Sequence, residues 1–465
     1  MVSQGALRRP SWCKRNRNTR IGALRFRTRH TENEMRKYGV AIFVLLAAVA
    51  GVVCAGESTE QTGFRNLGRI KSRAASEIQA SNWSVGAETM DRDYTIYRHW
   101  KSHLGPLGFK KARLQAGWAK TEKEKGVYDW AWLDEIIFDM VEQGVEPWMC
   151  LCYGNPLYAE GGGTLLGAAI PRTEEALQAW EKFVRALVSR YKHAIDEWEV
   201  WNEPNLRKNN PTETYADFLI RTAAAVRQVQ PQGRILAMSL AGVDGKFTDE
   251  VLQIVAARGR LDLIDEVTYH PYSFNPDQSY EAVAKLREIV ARYSPRITLR
   301  QGENGAPSER RNTKALSKHE WTEVSQAKWA LRRLLGDLGR DIPSSYFSII
   351  DMKYPDEMNR KGLLLSREDQ TVERAKAAYY AVQSLAAVFD DRLTRIGRYA
   401  WRTDRTESLS VFAYENRFTG KQVVTLWLDG ATPSDSVERT GMDFTFFAGG
   451  FDAPVYVDLR ESKVY

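Results

Sequence analysis

Glu197-Trp198-Glu199-Val200-Trp201-Asn202-Glu203-Pro204-Asn205 alternates apolar and polar residues and then breaks at a proline. The alternation predicts a strand over Glu197–Trp201, which Pro204 cannot continue. An amphipathic stretch, Thr212–Val229, follows and stops at Pro231-Gln232-Gly233, which predicts a helix. The same unit of strand, polar rim and helix recurs on both sides. Further strands are predicted at Trp83–Ala87, Phe109–Leu114, Glu146–Tyr153, Arg234–Leu240, Leu263–His270, Ile297–Gln301 and Tyr346–Met352. Further helices are predicted at Thr173–Tyr191, Ser279–Arg292, Trp321–Leu338 and Asp369–Val388. Eight strands, each followed by a helix, over residues 80–390 predict an α/β fold, a (β/α)8 TIM barrel. An open doubly wound sheet is the alternative. It usually carries a Gly-rich phosphate loop after its first strand, and Gly86-Ala87-Glu88-Thr89-Met90-Asp91 has no such pattern.

After Asp391 helical periodicity stops. Short alternating runs at Ser408–Tyr414, Gln422–Leu428, Asp443–Phe447 and Pro454–Asp458, separated by turn residues, predict a small antiparallel β-sandwich over residues 391–465. Residues 57–79 read as a linker, or as a strand that joins this β domain from the N-terminal side.

The formal charge of +7 is local. Residues 1–34 hold nine basic and two acidic residues, so the rest of the chain sums to zero and gives no basic footprint for nucleic acid. Met35-Arg36-Lys37-Tyr38 is a short positive region at a methionine, and Val40–Val53 is an apolar run of fourteen, too short to span a bilayer comfortably. Residues 35–56 are expected to be a signal peptide cut after Ala55 or Gly56, which predicts a secreted or periplasmic protein. An N-terminal membrane anchor is the alternative. Residues 1–34 then read as a non-native upstream basic extension. Cys13 and Cys54 fall in the segments expected to be removed. Cys150 and Cys152 lie two apart on one strand face, too rigidly spaced to bridge easily, and no disulfide is expected. No Cys/His metal spacing occurs, and no cofactor is expected.

Active sites of TIM barrels sit at the C-terminal ends of the strands. The fourth strand ends at Glu203 and the seventh, Ile297-Thr298-Leu299-Arg300-Gln301-Gly302-Glu303, at Glu303. Strands four and seven lie on opposite sides of the mouth, so the two carboxylates can face each other across a sugar. Glycoside hydrolysis needs such a pair. Glu88 and Asp91, after strand one, are candidates to bind sugar hydroxyls. Tyr153 and Asn155, after strand three, are expected to line the pocket, and Trp118 is a candidate stacking face. Glu199, deeper in strand four, reads as structural.

Trp201-Asn202-Glu203-Pro204 resembles the Asn-Glu-Pro signature of clan A glycoside hydrolases, and Gln115–Trp118 through Gly126–Trp130 resembles family 39 and family 5-like members. The resemblance spans most of residues 80–390. It implies that Glu203 is the acid/base, that Asn202 binds the hydroxyl beside the anomeric carbon, and that Glu303 is the nucleophile of a retaining β-glycosidase. His270-Pro271-Tyr272 matches the His-x-Tyr of strand six, in which the Tyr hydrogen-bonds the nucleophile and the His contacts substrate. Arg113 matches an arginine near the nucleophile. Strand eight departs from the clan, since no Trp ends Ser345–Tyr354; Tyr354 is a candidate substitute, and Asp351 and Lys353 a candidate polar floor. Long loops such as 160–171 and the appended domain favour exo action. The competing readings are an endo-glycanase of the same clan and an inactive carbohydrate-binding barrel. The expected partner is a carbohydrate substrate, with no nucleic acid and no membrane beyond the secretion signal.

Overall fold

The computed structural model describes residues 42–46, 65–206, 209–438, 441–447 and 453–465. Its centre is a closed eight-stranded parallel barrel. The strands are β1 (Trp83–Gly86), β2 (Lys111–Gln115), β3 (Glu146–Leu151), β4 (Glu197–Val200), β5 (Arg234–Ala241), β6 (Glu266–His270), β7 (Thr298–Asn304) and β8 (Ser344–Tyr346). β8 closes the ring by pairing with both β7 and β1. The outer layer includes α1 (Ala131–Glu142), α2 (Glu174–Tyr191), α3 (Thr212–Val229), α4 (Gly245–Ala257), α5 (Tyr280–Tyr293), α6 (Glu323–Leu338) and α7 (Ala377–Val388). Most bury one stripe against the strands, whereas α6 is buried on every face from Ser325 to Asp337. In α2 the stripe is Ala176, Trp180, Phe183, Val184, Leu187 and Tyr191, and Thr173 caps the first turn by accepting from the Ala176 N–H.

The barrel interior is not wholly apolar. Near its N-terminal end Arg300 forms a two-pronged pair with Glu197, at 2.8 and 2.7 Å, and Glu266 adds a second carboxylate at 2.8 Å. The Trp148 ring lies between that group and the site above, with Arg300 at 5.1 Å and Arg113 at 5.4 Å from its centre.

Two predicted elements are corrected. The eighth strand is Ser344–Tyr346, not Tyr346–Met352. The apolar run 347–350 is a buried loop instead, held by the Phe347 N–H on the Asn304 carbonyl and the Ile349 N–H on the Gly86 carbonyl. A buried loop carries the same apolar signal as a strand. Likewise the first half of the predicted helix Asp369–Val388 is a hairpin arm, Val372–Ala375, paired with Leu364–Ser366.

The C-terminal region forms a sheet in the order Leu393–Ile396, Leu409–Asn416, Gln422–Leu428, Ile42–Leu46, Val455–Asp458, Lys463–Val464, Gly68–Arg69. Gly68–Arg69 pairs antiparallel with Lys463–Val464 at one edge of this sheet. A second pair, Trp401–Thr403 with Phe444–Phe446, packs on it around Ala413, Val424, Leu426, Phe444 and Phe446. The expected basic extension lies outside the described residues, as does the apolar leader except for Ile42–Leu46. Among the described residues no helix is long and apolar enough to cross a membrane.

Candidate active site

The mouth of the barrel is built by backbone that leaves regular strand geometry. After β4 the chain passes through left-handed conformations at Trp201 (φ 67°) and Glu203 (φ 50°). Such angles are costly for residues with a Cβ and persist where surrounding contacts enforce them. Here the Glu203 N–H is held by the Ser239 carbonyl at 2.9 Å. Ser239 itself lies in an irregularity of β5, with positive φ at Met238 and Ser239 and a register shift against β6.

These turns bring Glu203 and Glu303 together. One ligand-capable atom from each of Glu203, His270 and Glu303 lies within 4.8 Å of the others. His270 Nδ1 is 2.9 Å from Glu203 Oε1 and 3.8 Å from Glu303 Oε2. Tyr272 donates its hydroxyl to Glu303 Oε1 at 2.9 Å, and Arg113 Nη1 donates to Glu303 Oε2 at 2.9 Å. Burial pushes the Glu303 carboxyl up, but His270, Arg113 and Tyr272 outweigh it and hold the group below the usual glutamate range. Burial pulls His270 down, and the two carboxylates reverse this and leave it raised.

Arg113 is fully buried and organises the floor. It donates from Nε to Glu199 at 2.9 Å and from Nη2 to Asn202 Oδ1 at 2.9 Å and Ser239 Oγ at 3.0 Å. Glu199, read as structural, is the counter-charge that fixes it. Asn202 in turn donates to the Tyr153 hydroxyl at 2.9 Å. A carboxylate held ionised faces a second carboxyl across a cleft, with a histidine between and an amide beside them. That arrangement suits attack at one carbon with proton delivery from the far side.

The family model for "Glycosyl hydrolases family 39" matches residues 108–297, a span that ends just before β7. This chain is similar to the glycoside hydrolases of family 39. Solved structures share the fold. A family 39 glycoside hydrolase from Bacteroides cellulosilyticus WH2 aligns at 20% identity and TM-score 0.58, over 78% of this chain and 73% of that one. The enzyme of that family from Xanthomonas axonopodis pv. citri aligns at 20% and 0.53, over 82% and 76%. A monomeric β-xylosidase from Caulobacter crescentus CB15 aligns at 19% and 0.51, over 74% and 75%. No curated protein matches the chain.

The structure departs from the sequence reading at several places. Trp118 is 0% exposed, with its faces covered by Tyr158 at 5.4 Å and Phe183 at 5.9 Å, so it is core rather than a sugar platform. Asn155 is buried and spends its amide on the Glu122 carbonyl and the Leu157 N–H, which shapes the loop after β3 instead of lining the pocket. Asp351 is no floor residue; it is buried in an ion pair with Lys376 at 2.6 Å. Lys353 points outward to the Glu368 carbonyl. Glu88 does join the cluster, but its carboxyl is sealed beneath it at 1% exposure and faces Arg113 rather than an open subsite. Asp91 pairs with Arg92. Tyr354 is on the mouth side, where burial pushes its phenol up to about 12 with Arg92 and Glu303 both acting on it.

Two residues escaped the sequence reading. Ser239 depends on the β5 irregularity, which periodicity cannot show. Lys361 is 2% exposed, lies 4.9 Å over the Tyr272 ring and donates to the Ala315 carbonyl at 2.8 Å. Burial and nearby Arg311 push its ammonium well below the usual lysine range, and Glu303 opposes them. Cys150 and Cys152 are free and buried.

Proposed function

We propose that this hydrolase is a secreted, exo-acting β-glycosidase that trims β-linked sugars from plant or microbial polysaccharide fragments by double displacement, with Glu303 as nucleophile and Glu203 as acid/base. The observation that carries the reading is the approach of Glu203 and Glu303 to within 4.8 Å. Retaining pairs stand about 5–5.5 Å apart, whereas inverting pairs need about 6.5–9.5 Å to admit a water.

A carboxylate oxygen of Glu303 bonds to the anomeric carbon as the bond to the leaving oxygen breaks, and Glu203 gives that oxygen its proton. Glu203 then takes a proton from water, whose oxygen bonds to the same carbon and releases Glu303. Configuration is inverted twice and so retained. Asn202 and Tyr153 are placed to hold the ring hydroxyl beside the reacting carbon.

Secretion rests on the basic Met35–Tyr38 segment and the apolar run after it; cleavage after Ala55 or Gly56 would take Ile42–Leu46 out of the sheet between Gln422–Leu428 and Val455–Asp458. Exo action is proposed from two segments beyond the barrel strands. The loop after β3 folds back so that Gly154 N–H meets the Gly163 carbonyl, and residues 429–436 of the C-terminal region lie on α6 through Arg332, Lys328 and Thr322. The Caulobacter relative is a β-xylosidase, so nitrophenyl β-xyloside heads the test panel of nitrophenyl β-glycosides. Glu303→Ala should abolish turnover and regain part of it with azide, and a fluorinated glycoside should leave its sugar on Glu303 in the mass spectrum of the tryptic peptides. Full turnover by the variant rejects the assignment.

A further inference from the structure

We infer that Glu88 is a third carboxyl of the site, held as the neutral acid, and that it is a positioning residue whose proton keeps Arg113 on Glu303. This rests on the proposed role of Glu303.

The geometry begins with a missing side chain. Gly86 of β1 pairs with Arg113 of β2, so the two share a face of the barrel wall. The Glu88 carboxyl, two residues on, folds into the space Gly86 leaves. A Cβ on Gly86 would lie 2.3 Å from Glu88 Oε2. Glu88 Oε1 accepts from Arg113 Nη1 at 3.1 Å, and the same nitrogen donates to Glu303 Oε2. Oε2 is buried and has no hydrogen-bond partner among the described residues.

The charges that face this group are few. Arg113 comes from β2 and Glu303 from β7, while Glu199 of β4 occupies Nε and Nη2 of the same guanidinium. His270 of β6 serves Glu203 and Glu303, and Asp91, on the β1 exit, is spent on Arg92. One guanidinium therefore meets three carboxyls, two of which already balance it and more. A third buried anion has no counter-charge, and burial favours its neutral form. Burial and Glu303 accordingly raise the Glu88 carboxyl to about 7 against the pull of Arg113. Its proton resides on Oε2, because Oε1 accepts from Arg113. Above that pH the ionised carboxylate competes for Nη1 and draws Arg113 towards β1, away from Glu303 and Asn202.

Glu88→Gln copies the shape of the neutral acid and cannot ionise. With the best substrate of the panel, the kcat/KM profile of each protein is normalised to its own value at about pH 5, so that the readout is the shape of the alkaline limb. Above about pH 7 the wild type should fall first, while the variant holds its rate to higher pH. Gly86→Ala, which crowds the carboxyl out, should lose activity at every pH. In wild-type protein, infrared difference spectra should show a protonated-carboxyl band that fades around neutral pH and is missing from Glu88→Gln; this readout needs no turnover. An equal loss at acid and alkaline pH, superimposable profiles, or no such band would overturn the inference. Loss of all activity in Glu303→Ala with an unaltered profile in Glu88→Gln would reject Glu88 alone.

Discussion

His270 and Glu203 are joined through Nδ1 and Oε1 at 2.9 Å, and that one ring reaches Glu303 as well. His270→Asn should therefore lower kcat on the best nitrophenyl glycoside by about a hundredfold, the lower end of what a positioned proton-transfer group contributes. The histidine's raised pKa adds a second expectation. Stability it contributes is complete below its unfolded value and is lost as pH rises through the folded one. Melting curves of wild type and variant should differ most in acid and converge in alkali.

Tyr272 tests how Glu303 is kept ionised. Tyr272→Phe removes one of the two hydrogen bonds to its carboxylate, and the 2.9 Å bond to Oε1 goes with it. A hydrogen bond to a charged group is worth about 1.5–3 kcal/mol, so kcat should fall roughly 10- to 100-fold. The acid limb of kcat/KM should move up in pH, since Glu303 loses a group that lowers its pKa. An unmoved limb would mean that Tyr272 only packs.

Arg300 and Glu197 test the barrel itself. Arg300→Met leaves the buried Glu197 with Lys111, at 2.9 Å, as its cation and should cost up to about 3 kcal/mol in denaturant unfolding. Arg300→Met with Glu197→Met should recover most of that loss. Arg300 first among its partners holds the Glu197 carboxyl, against burial, at about 2. Its stabilising share is present above the unfolded value and is lost as pH falls towards 2.

Lys361 is buried against its electrostatic interest. Its folded pKa is depressed, so the unfolded chain takes the proton more readily and the penalty on folding grows as pH falls below the ordinary lysine value. Lys361→Met should raise the melting temperature at neutral pH. Glu303 is among the charges that act on Lys361, so the same variant should lose activity as well. A gain in stability with unchanged kinetics would leave Lys361 without a role at the site.

Much of the barrel was legible because its strands and helices differ in period. Glu197–Val200 and Thr212–Val229 match their predicted spans closely. The failures share a cause: β8 is a three-residue strand of two serines and a tyrosine beside a buried apolar loop, and burial there does not follow period two. Asp337 accepts from the Ser344 hydroxyl and Gln301 Oε1 from the Ser345 backbone N–H, while the Ser345 hydroxyl is buried without a partner among the described residues. Trp118 and Asn155 failed for the same reason from the other side. Both lie near the mouth in sequence, but loops around them close over and use their polar groups locally.

The chain alone determined that two glutamates would end strands four and seven, because strand period and the Asn202-Glu203-Pro204 break are local properties. Only the tertiary structure decided which neighbours tune them. Arg113, Glu199 and Glu303 come from three strands and Glu88 from the exit of β1, far apart in sequence, and their charges interact only once the barrel closes around one buried guanidinium.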